Sequence, residues 1–251
     1  FGYINNWNGG DGIGDAVIDI SSNTFKDIKY LWFSGITNTT SNIPSFTGNT
    51  WLDADNNAED LSAVLQKLSG VMEMDGTIYV SSEDALKVAI AAADEGDTIV
   101  LTKDIELDAM LDITKSNITI DLNGNTITAS DAFTGTFDND KHLIQVNGAE
   151  NVTIANGSIV TTDANKHGVN LYDATGVVLK DVTIDHTNAM KGAPLVLNNS
   201  SATVEGKLDL VVGDSSWYGI NIDPKDGQAS LTFADDSHVS MTGNDKLQVI
   251  Q

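Results

Sequence analysis

The sequence predicts an all-β solenoid in which short strands stack on their counterparts about 25 residues later. Three observations predict this fold class. Apolar residues return at a nearly constant long spacing, which is typical of repeat architectures. After Gly96, apolar and polar residues alternate with period two, as they do in strands. The segments that join these strands are too short for helical crossovers, so each strand must pair with its equivalent in the next copy.

The repeat contains two rows of apolar residues. The first row aligns segments that begin at Asn117, Asn151 and Gly176, and its next copy places Ala202 and Val204 in nearly the same register. The second row consists of pairs in five successive copies: Ile144 and Val146, Val169 and Leu171, Leu195 and Leu197, Ile220 and Ile222, Leu247 and Val249. Its steps are 25, 26, 25 and 27 residues. One copy cannot bury its apolar face alone, so the copies must stabilise one another.

Two helices are expected before the repeat. Residues 57–70 carry an apolar stripe at helical spacing, with Gly70 as the end. Residues 82–94 carry a second stripe, and Ser81 with Asp84 forms a capping-box pattern at its start.

The run at residues 96–128 resembles the opening of a right-handed parallel β-helix of the pectin-lyase-like superfamily. The helix at 82–94 is similar to the N-terminal helix that caps such solenoids. The resemblance covers residues 77–251 and implies about six coils. Similar openings occur in large secreted and cell-wall-attached proteins of bacteria and some archaea. The fold hosts lyases, hydrolases, epimerases, adhesins and phage tailspikes, so it does not decide the activity.

We expect three regions along the chain. Residues 1–56 form a smaller region that holds most of the aromatic residues, and residues 57–76 form a helix and linker. Residues 77–251 form the β-helix. For the first region, an aromatic core is one interpretation and a sugar-stacking surface is another. Residues 16–28 resemble a β-helix coil, so this region is also a candidate for the end of a preceding β-helix.

The composition excludes several classes of partner. The chain has 13 basic residues, all of them lysines, against 36 acidic residues, for a net charge of −23. This disfavours nucleic acid and anionic membranes, and also strongly anionic polysaccharides unless a local lysine cluster overcomes the field. There is no cysteine, and no apolar run approaches the ~20 residues of a membrane span. We expect an extracellular or cell-surface protein whose signal peptide is not in this chain.

A polar ladder at one turn of the repeat is the main candidate site. Residues of one type recur there at steps of about 25: Asp138 and Asp163, Lys141, Lys166 and Lys191, His142 and His167. Tyr172 follows in the same strand, and Trp217 and Tyr218 reach this edge further along the repeat. Aromatic faces beside polar donors are typical of sugar binding. The candidate ligand-binding residues are Lys141, Lys166, His142, His167, Tyr172, Trp217 and Tyr218. A solvated charged turn is the alternative interpretation.

The motifs of enzymes that share this fold are incomplete here. Pectate-lyase-like enzymes commonly use an arginine base, and this chain has no arginine. The pair Asp235–Asp236 and the run Lys166–Gly168 are only fragments of the polygalacturonase set, and residues 218–225 resemble an alginate-epimerase motif loosely. Glycosidases need paired carboxyl groups, which adjacent coils could supply. For an enzyme, the candidate acid and base residues are Asp138, Asp163, Asp181 and His167.

We expect no cofactor and no metal site, with calcium as an alternative. Residues 53–57 resemble the calcium loop of dockerins, which precedes a helix. An EF-type loop needs glycine at its sixth position and a carboxylate at its twelfth, where this chain has Ala58 and Val64.

The expected function is that of a non-catalytic, adhesin-like surface module that binds carbohydrate or another host or cell-surface ligand. A polysaccharide hydrolase or lyase acting on a neutral glycan is one alternative, and a structural spacer is another. Residues 246–251 begin a new copy of the repeat. An open strand edge there would pair readily, which predicts covering by further chain or end-to-end self-association.

Overall fold

The structure is a computed structural model that describes residues 17–33, 43–135, 141–224, 228–243 and 248–250. The chain divides into two compact units, residues 1–103 and residues 104–251. The described parts hold 23 strands and two short helices, so the protein is all-β, as the sequence predicts. None of the helices in these parts has the length and apolarity needed to cross a membrane.

The first unit combines short parallel strands with two helices. Its elements are β1 (Asp19–Ser21), β2 (Thr24–Lys26), β3 (Leu31–Trp32), β4 (Ser45–Thr47), β5 (Thr50–Leu52), α1 (Leu61–Leu65), β6 (Leu68–Ser69), β7 (Val71–Met74), β8 (Thr77–Val80), α2 (Glu83–Ala92) and β9 (Thr98–Leu101). β1, β2 and β3 pair in parallel with β4, β5 and β6. β7 and β8 form an antiparallel hairpin, and β8 pairs in parallel with β9. Parallel pairing of strands therefore begins well before the main repeat.

Aromatic side chains form much of the core of the first unit. The rings of Phe25 and Trp51 stack with centroids 4.6 Å apart, and Phe46 is buried beside them. Tyr30 and Trp32 remain exposed on either side of the buried Leu31. Phe25, Phe46 and Trp51 therefore act as packing residues, whereas Tyr30 and Trp32 do not.

Both helices start later than the sequence suggested. The first does not begin at Asn57 but after Asp60, whose carboxylate accepts the N–H of Ser62 at 2.9 Å. The second begins after Ser82 rather than Ser81, because the Ser82 hydroxyl accepts the N–H of Ala85. α2 packs against β7, β8 and β9. Its role as the cap of a solenoid stays a prediction.

The second unit consists of two parallel sheets. Its strands are β10 (Ile105–Ala109), β11 (Leu111–Ile113), β12 (Thr119–Asp121), β13 (Thr126–Thr134), β14 (His142–Asn147), β15 (Thr153–Val160), β16 (His167–Tyr172), β17 (Val177–His186), β18 (Ala193–Asn198), β19 (Ser201–Val212), β20 (Tyr218–Asp223), β21 (Ser230–Phe233), β22 (His238–Gly243) and β23 (Gln248–Ile250). Sheet 1 runs β12-β15-β17-β19-β21, with β13 also beside β15, β10 beside β13, and β22 beside β19. Sheet 2 runs β11-β14-β16-β18-β20-β23.

The register confirms the repeat except at its last step. In sheet 1 Ile154 pairs with Leu179, and Leu179 pairs with Val204. In sheet 2 the row from Ile144 to Ile220 pairs as expected. The prediction that Ile220 pairs with Leu247 is wrong, because Ile220 pairs with Ile250. The last copy is longer than its apolar spacing indicated, because the connections before β21 and between β21 and β22 are longer than their equivalents in the preceding copy.

Buried apolar residues of the two sheets face each other. Leu171, Ile184 and Leu195 are fully buried, and the first two alternate with more polar residues along their strands. A Cβ on Gly168 of sheet 2 would lie 2.6 Å from Cγ2 of Ile184 of sheet 1, so glycine permits this close approach. The apolar residues of the last strands are less well buried, since Ile250 is half exposed. The expected self-association through this end stays a prediction.

Candidate functional site

A groove with a volume of about 760 Å³ lies on the outer face of sheet 2. Residues of β14, β16, β18 and β20, and the residues just before β16 and β20, line it. Side chains alternate across a strand, so the residues between the buried apolar ones point to this outer face. Parallel strands at a spacing of about 4.8 Å place equivalent residues of successive copies side by side. The groove therefore presents rows of related side chains.

The floor of the groove holds a directed chain of hydrogen bonds between amide side chains. Asn198 Nδ2 donates to Asn170 Oδ1 at 2.9 Å, and Asn170 Nδ2 donates to Gln145 Oε1 at 2.8 Å. Gln145 Nε2 donates in turn to Asp112 Oδ1 at 3.3 Å. An ionised carboxylate can only accept, so Asp112 forces Gln145 to turn its NH₂ group towards it. The amides of Asn170 and Asn198, which follow in this chain of hydrogen bonds, are oriented as a consequence.

The oriented amides give the floor both donors and acceptors. A primary amide has two N–H donors and an oxygen with two lone pairs. The chain of hydrogen bonds uses only some of these donors and lone pairs at each residue. Asn221 and Asn147 extend the polar floor on either side. The floor carries no charge along this row, which suits a ligand rich in hydroxyl or amide groups.

Aromatic side chains stand on two sides of the floor. Tyr172 ends β16 and is 40% exposed, whereas Trp217 and Tyr218 lie at the start of β20, with Trp217 46% exposed. The ammonium of Lys191 lies 5.1 Å from the centroid of the Trp217 ring, within the range of a cation–π contact. Such exposed rings offer rigid apolar faces on which sugar rings stack.

Two stacked histidines form the edge of the groove next to Lys166. The rings of His142 and His167 lie 5.0 Å apart at an angle of 28°. His167 Nδ1 accepts the N–H of Ala193 at 3.0 Å. Burial, with added repulsion from His142 and Lys166, lowers the pKa of His167 to about 2. The ring is therefore neutral near pH 7, and with Nδ1 accepting, its proton is on Nε2.

A glycine makes the contact to His167 possible. Gly192 has φ +102, in the region that favours glycine. A Cβ there would overlap the carbonyl oxygen of Lys166 and lie 2.6 Å from His167 Nδ1. Only glycine lets this segment come close enough for the N–H of Ala193 to reach the ring.

A third histidine lies buried close to this edge. His186 Nε2 donates to the carbonyl oxygen of Lys166 at 3.0 Å, and its Nδ1 accepts from the hydroxyl of Ser216 at 2.7 Å. Burial is the largest cause that lowers the pKa of His186, to about 4. The neutral ring thus ties the segment before β16 to the segment before β20, which carries Trp217.

The structure brings most of the predicted ligand-binding residues together. The predicted residues that line the groove are His142, Lys166, His167, Tyr172, Trp217 and Tyr218. Lys141 is their neighbour, since its carbonyl oxygen accepts the N–H of Lys166 at 2.7 Å, but it does not line the groove. The role of these residues in binding stays a prediction.

The candidate acid and base residues are placed differently. Asp138 lies outside the described residues. Asp163 is exposed on a turn and does not line the groove. Asp181 lies in the bend of β17 in sheet 1, with φ 52, and its carboxylate accepts the N–H of Lys207 at 3.0 Å. Of these four residues, His167 alone is at the groove in the part of the chain that the structure describes.

Several groove residues were missed in the sequence. The amides Gln145, Asn170 and Asn221 share one register position with Val196, between the apolar residues of the second row. Their recurrence was the available signal, but asparagine is frequent throughout this chain. His186 aligns with Val212, and a histidine at a position that valine occupies in the next copy was its signal.

The described residues contain no group of three or more histidine, aspartate or glutamate side chains placed to hold a metal ion. In the loop that resembles a calcium site, Asp53 Oδ1 accepts the N–H groups of Asp55 at 2.9 Å and Asn57 at 2.8 Å. Hydrogen bonds from Asn57 are the main cause that lowers the pKa of Asp53. This carboxylate therefore has a structural role in its own turn.

Comparison with known proteins returned no relative. No protein-family model matches the sequence, and no curated protein and no solved structure matches it either.

Proposed function

We propose that this chain is a non-catalytic extracellular module of the adhesin type, and that the groove on sheet 2 binds glycans. The proposal includes a right-handed parallel β-helix similar to those of the pectin-lyase-like superfamily. Parallel pairing of strands about 25 residues apart and the two facing rows of buried residues support this architecture. The net charge of −23 supports a soluble protein.

One observation carries the binding proposal: exposed aromatic rings and an uncharged amide floor meet in one groove. Tyr172 and Trp217 are large, rigid and exposed. Asn170 and Asn198 line the same groove as donors and acceptors held in place by other side chains. A sugar ring has an apolar face and a hydroxyl edge, and this arrangement complements both.

The small number of carboxylates among the described residues of the groove favours binding over hydrolysis. Glycosidases use two carboxyl groups on either side of the bond that breaks. Among the residues that the structure describes, Asp223 is the single carboxylate that lines the groove. Its position at the end of β20 leaves it without a partner acid in the lining.

A polysaccharide panel tests the proposal. The full chain is applied to immobilised neutral and acidic polysaccharides, with and without calcium, and retention and released oligosaccharides are measured in the same wells. We expect retention on at least one glycan without product and without dependence on calcium. Release of oligosaccharides would show an enzyme instead. Folded protein that no glycan retains would favour the spacer.

A further inference from the structure

We propose that the groove selects sugars that carry an N-acetyl group, with the acetamido methyl on Val196 and its amide on the side chains around it. This inference rests on the proposed glycan-binding function and names the ligand class of the same groove. The feature behind it is a small apolar point in a floor of oriented amides, beside aromatic rings.

Val196 interrupts the amide row of the floor. It pairs in register with Asn170 on one side and with Asn221 on the other, and it lines the groove. It is only 2% exposed, so little more than a methyl group can cover it. A ligand hydroxyl placed on Val196 would lose hydrogen bonds to water without replacement, which is unfavourable. A methyl group there would gain from the removal of apolar surface from water.

The side chains beside Val196 complement an amide. Asn198 follows two positions later on the same strand and therefore points to the same face. After its hydrogen bond to Asn170, its amide still has one N–H and its carbonyl oxygen. An acetamido group has one N–H and one carbonyl oxygen, so each can pair with the opposite group of Asn198. A hydroxyl group can pair with one or both of these groups, but it brings no methyl group to Val196.

The orientation of these amides is set before a ligand arrives. Asp112 accepts from Gln145, and this fixes the direction of the chain through Asn170 to Asn198. A ligand therefore meets donors and acceptors already in place, and less side-chain entropy is lost on binding. Trp217 and Tyr172 can meanwhile hold the sugar ring that carries the acetamido group.

Three β-1,4-linked tetrasaccharides test the inference because they differ only at one substituent. Chitotetraose carries acetamido groups, cellotetraose carries hydroxyl groups, and the fully de-N-acetylated chitosan tetramer carries amines. Their affinities for the full chain are measured by isothermal titration calorimetry. We expect chitotetraose to bind about tenfold more tightly than either of the others, the scale of one added hydrogen bond with a covered methyl group.

Substitution of Val196 localises the effect. Val196→Thr keeps the shape but replaces a methyl with a hydroxyl, and we expect the preference for chitotetraose to fall to within about twofold. Val178→Thr is the matched control. Val178 is a half-buried valine of sheet 1 that pairs in register with Thr153 and Thr203, so its substitution should leave the preference unchanged.

The possible outcomes separate this inference from the proposed function. Equal affinity for chitotetraose and cellotetraose, or for chitotetraose and the amine form, would overturn the N-acetyl selectivity and leave glycan binding standing. Failure of all three to bind a protein that the polysaccharide panel retains would also overturn the selectivity alone. Failure of both experiments would overturn the glycan-binding function itself. The comparison of the three sugars uses the unaltered chain, so it holds even where the Val196 variant does not fold.

Discussion

The two sheets of the second unit share one interior and differ in what they show to solvent. Sheet 1 carries exposed charged pairs, such as Lys180 with Glu205 at 3.7 Å and Lys207 with Asp209. Surface pairs of this kind contribute little to stability. Sheet 2 carries linked amides, exposed aromatic rings and a pair of stacked, buried histidines around a groove. The inward rows of both sheets therefore determine the fold, whereas the outward rows differ and make sheet 2 the candidate face for binding.

The largest expected effect comes from the shared interior. Leu195→Ala in sheet 2 and Ile184→Ala in sheet 1 should each lower the free energy of unfolding by about 2–5 kcal/mol, since both side chains are fully buried. Chemical denaturation monitored by circular dichroism measures this. The outward Val178→Ala is the control and should cost clearly less. Equal losses for the inward and outward variants would contradict the division between the two sets of residues.

Acid should weaken the edge of sheet 2 that the histidines support. The pKa values of His167 and His186 are lowered in the fold to about 2 and about 4, from 6.5. As the pH falls below 6.5 the unfolded chain therefore binds protons that the folded chain does not, and folding becomes less stable. The free energy of unfolding should fall by up to about 1.4 kcal/mol per pH unit for each histidine.

Denaturation between pH 6.5 and about 5 tests this, because most carboxyl groups titrate at lower pH. His186→Gln should make the decline with pH less steep. His238→Gln is the control, since His238 lies exposed on β22. An unchanged slope in the His186 variant would show that this ring does not carry the effect.

Removal of one aromatic platform should affect binding and not folding. Trp217→Ala should weaken glycan affinity by at least about tenfold, the usual effect of truncating an aromatic anchor in an interface. Phe233→Ala is the matched control, because Phe233 is exposed to the same extent, 46%, but lies on β21 of sheet 1. Retention on the polysaccharide panel measures both. Equal losses in the two variants would mean that sheet 2 is not the binding face.

The smallest effect is expected from the orienting carboxylate. Asp112→Asn keeps the shape but lets residue 112 donate as well as accept, so the direction of the amide chain is no longer fixed. We expect a loss of about threefold in glycan affinity, within the range of one weakened hydrogen bond. Asp121→Asn, in β12 of sheet 1, is the control, since Asp121 accepts from Asn156 at 3.1 Å away from the groove. A loss of affinity in the Asp121 variant as large as that in the Asp112 variant would show that Asp112 does not orient the amides.

The repeat made part of this site predictable from sequence. In a parallel stack, a spacing of about 25 residues becomes contact between neighbouring strands, so the partnership of His142 with His167 could be read directly. The order of the amide floor could not be read, because it depends on which atoms of Gln145 and Asn170 face Asp112. The role of Asp181 could not be read either, because the sequence does not distinguish a carboxylate that accepts a backbone N–H from one that acts as a catalytic acid or base.

The most direct test of the central claim follows the amide side chains themselves. Heteronuclear NMR of the side-chain NH₂ groups is recorded while an oligosaccharide from a retaining polysaccharide is titrated into the full chain. We expect the signals of Asn170 and Asn198 to shift. Those of Asn151 and Asn199, which donate to Asn117 and Asp173 in the turns between strands, should stay in place. Binding that shifts the signals of Asn151 and Asn199 and leaves Asn170 and Asn198 unmoved would contradict a glycan site on sheet 2.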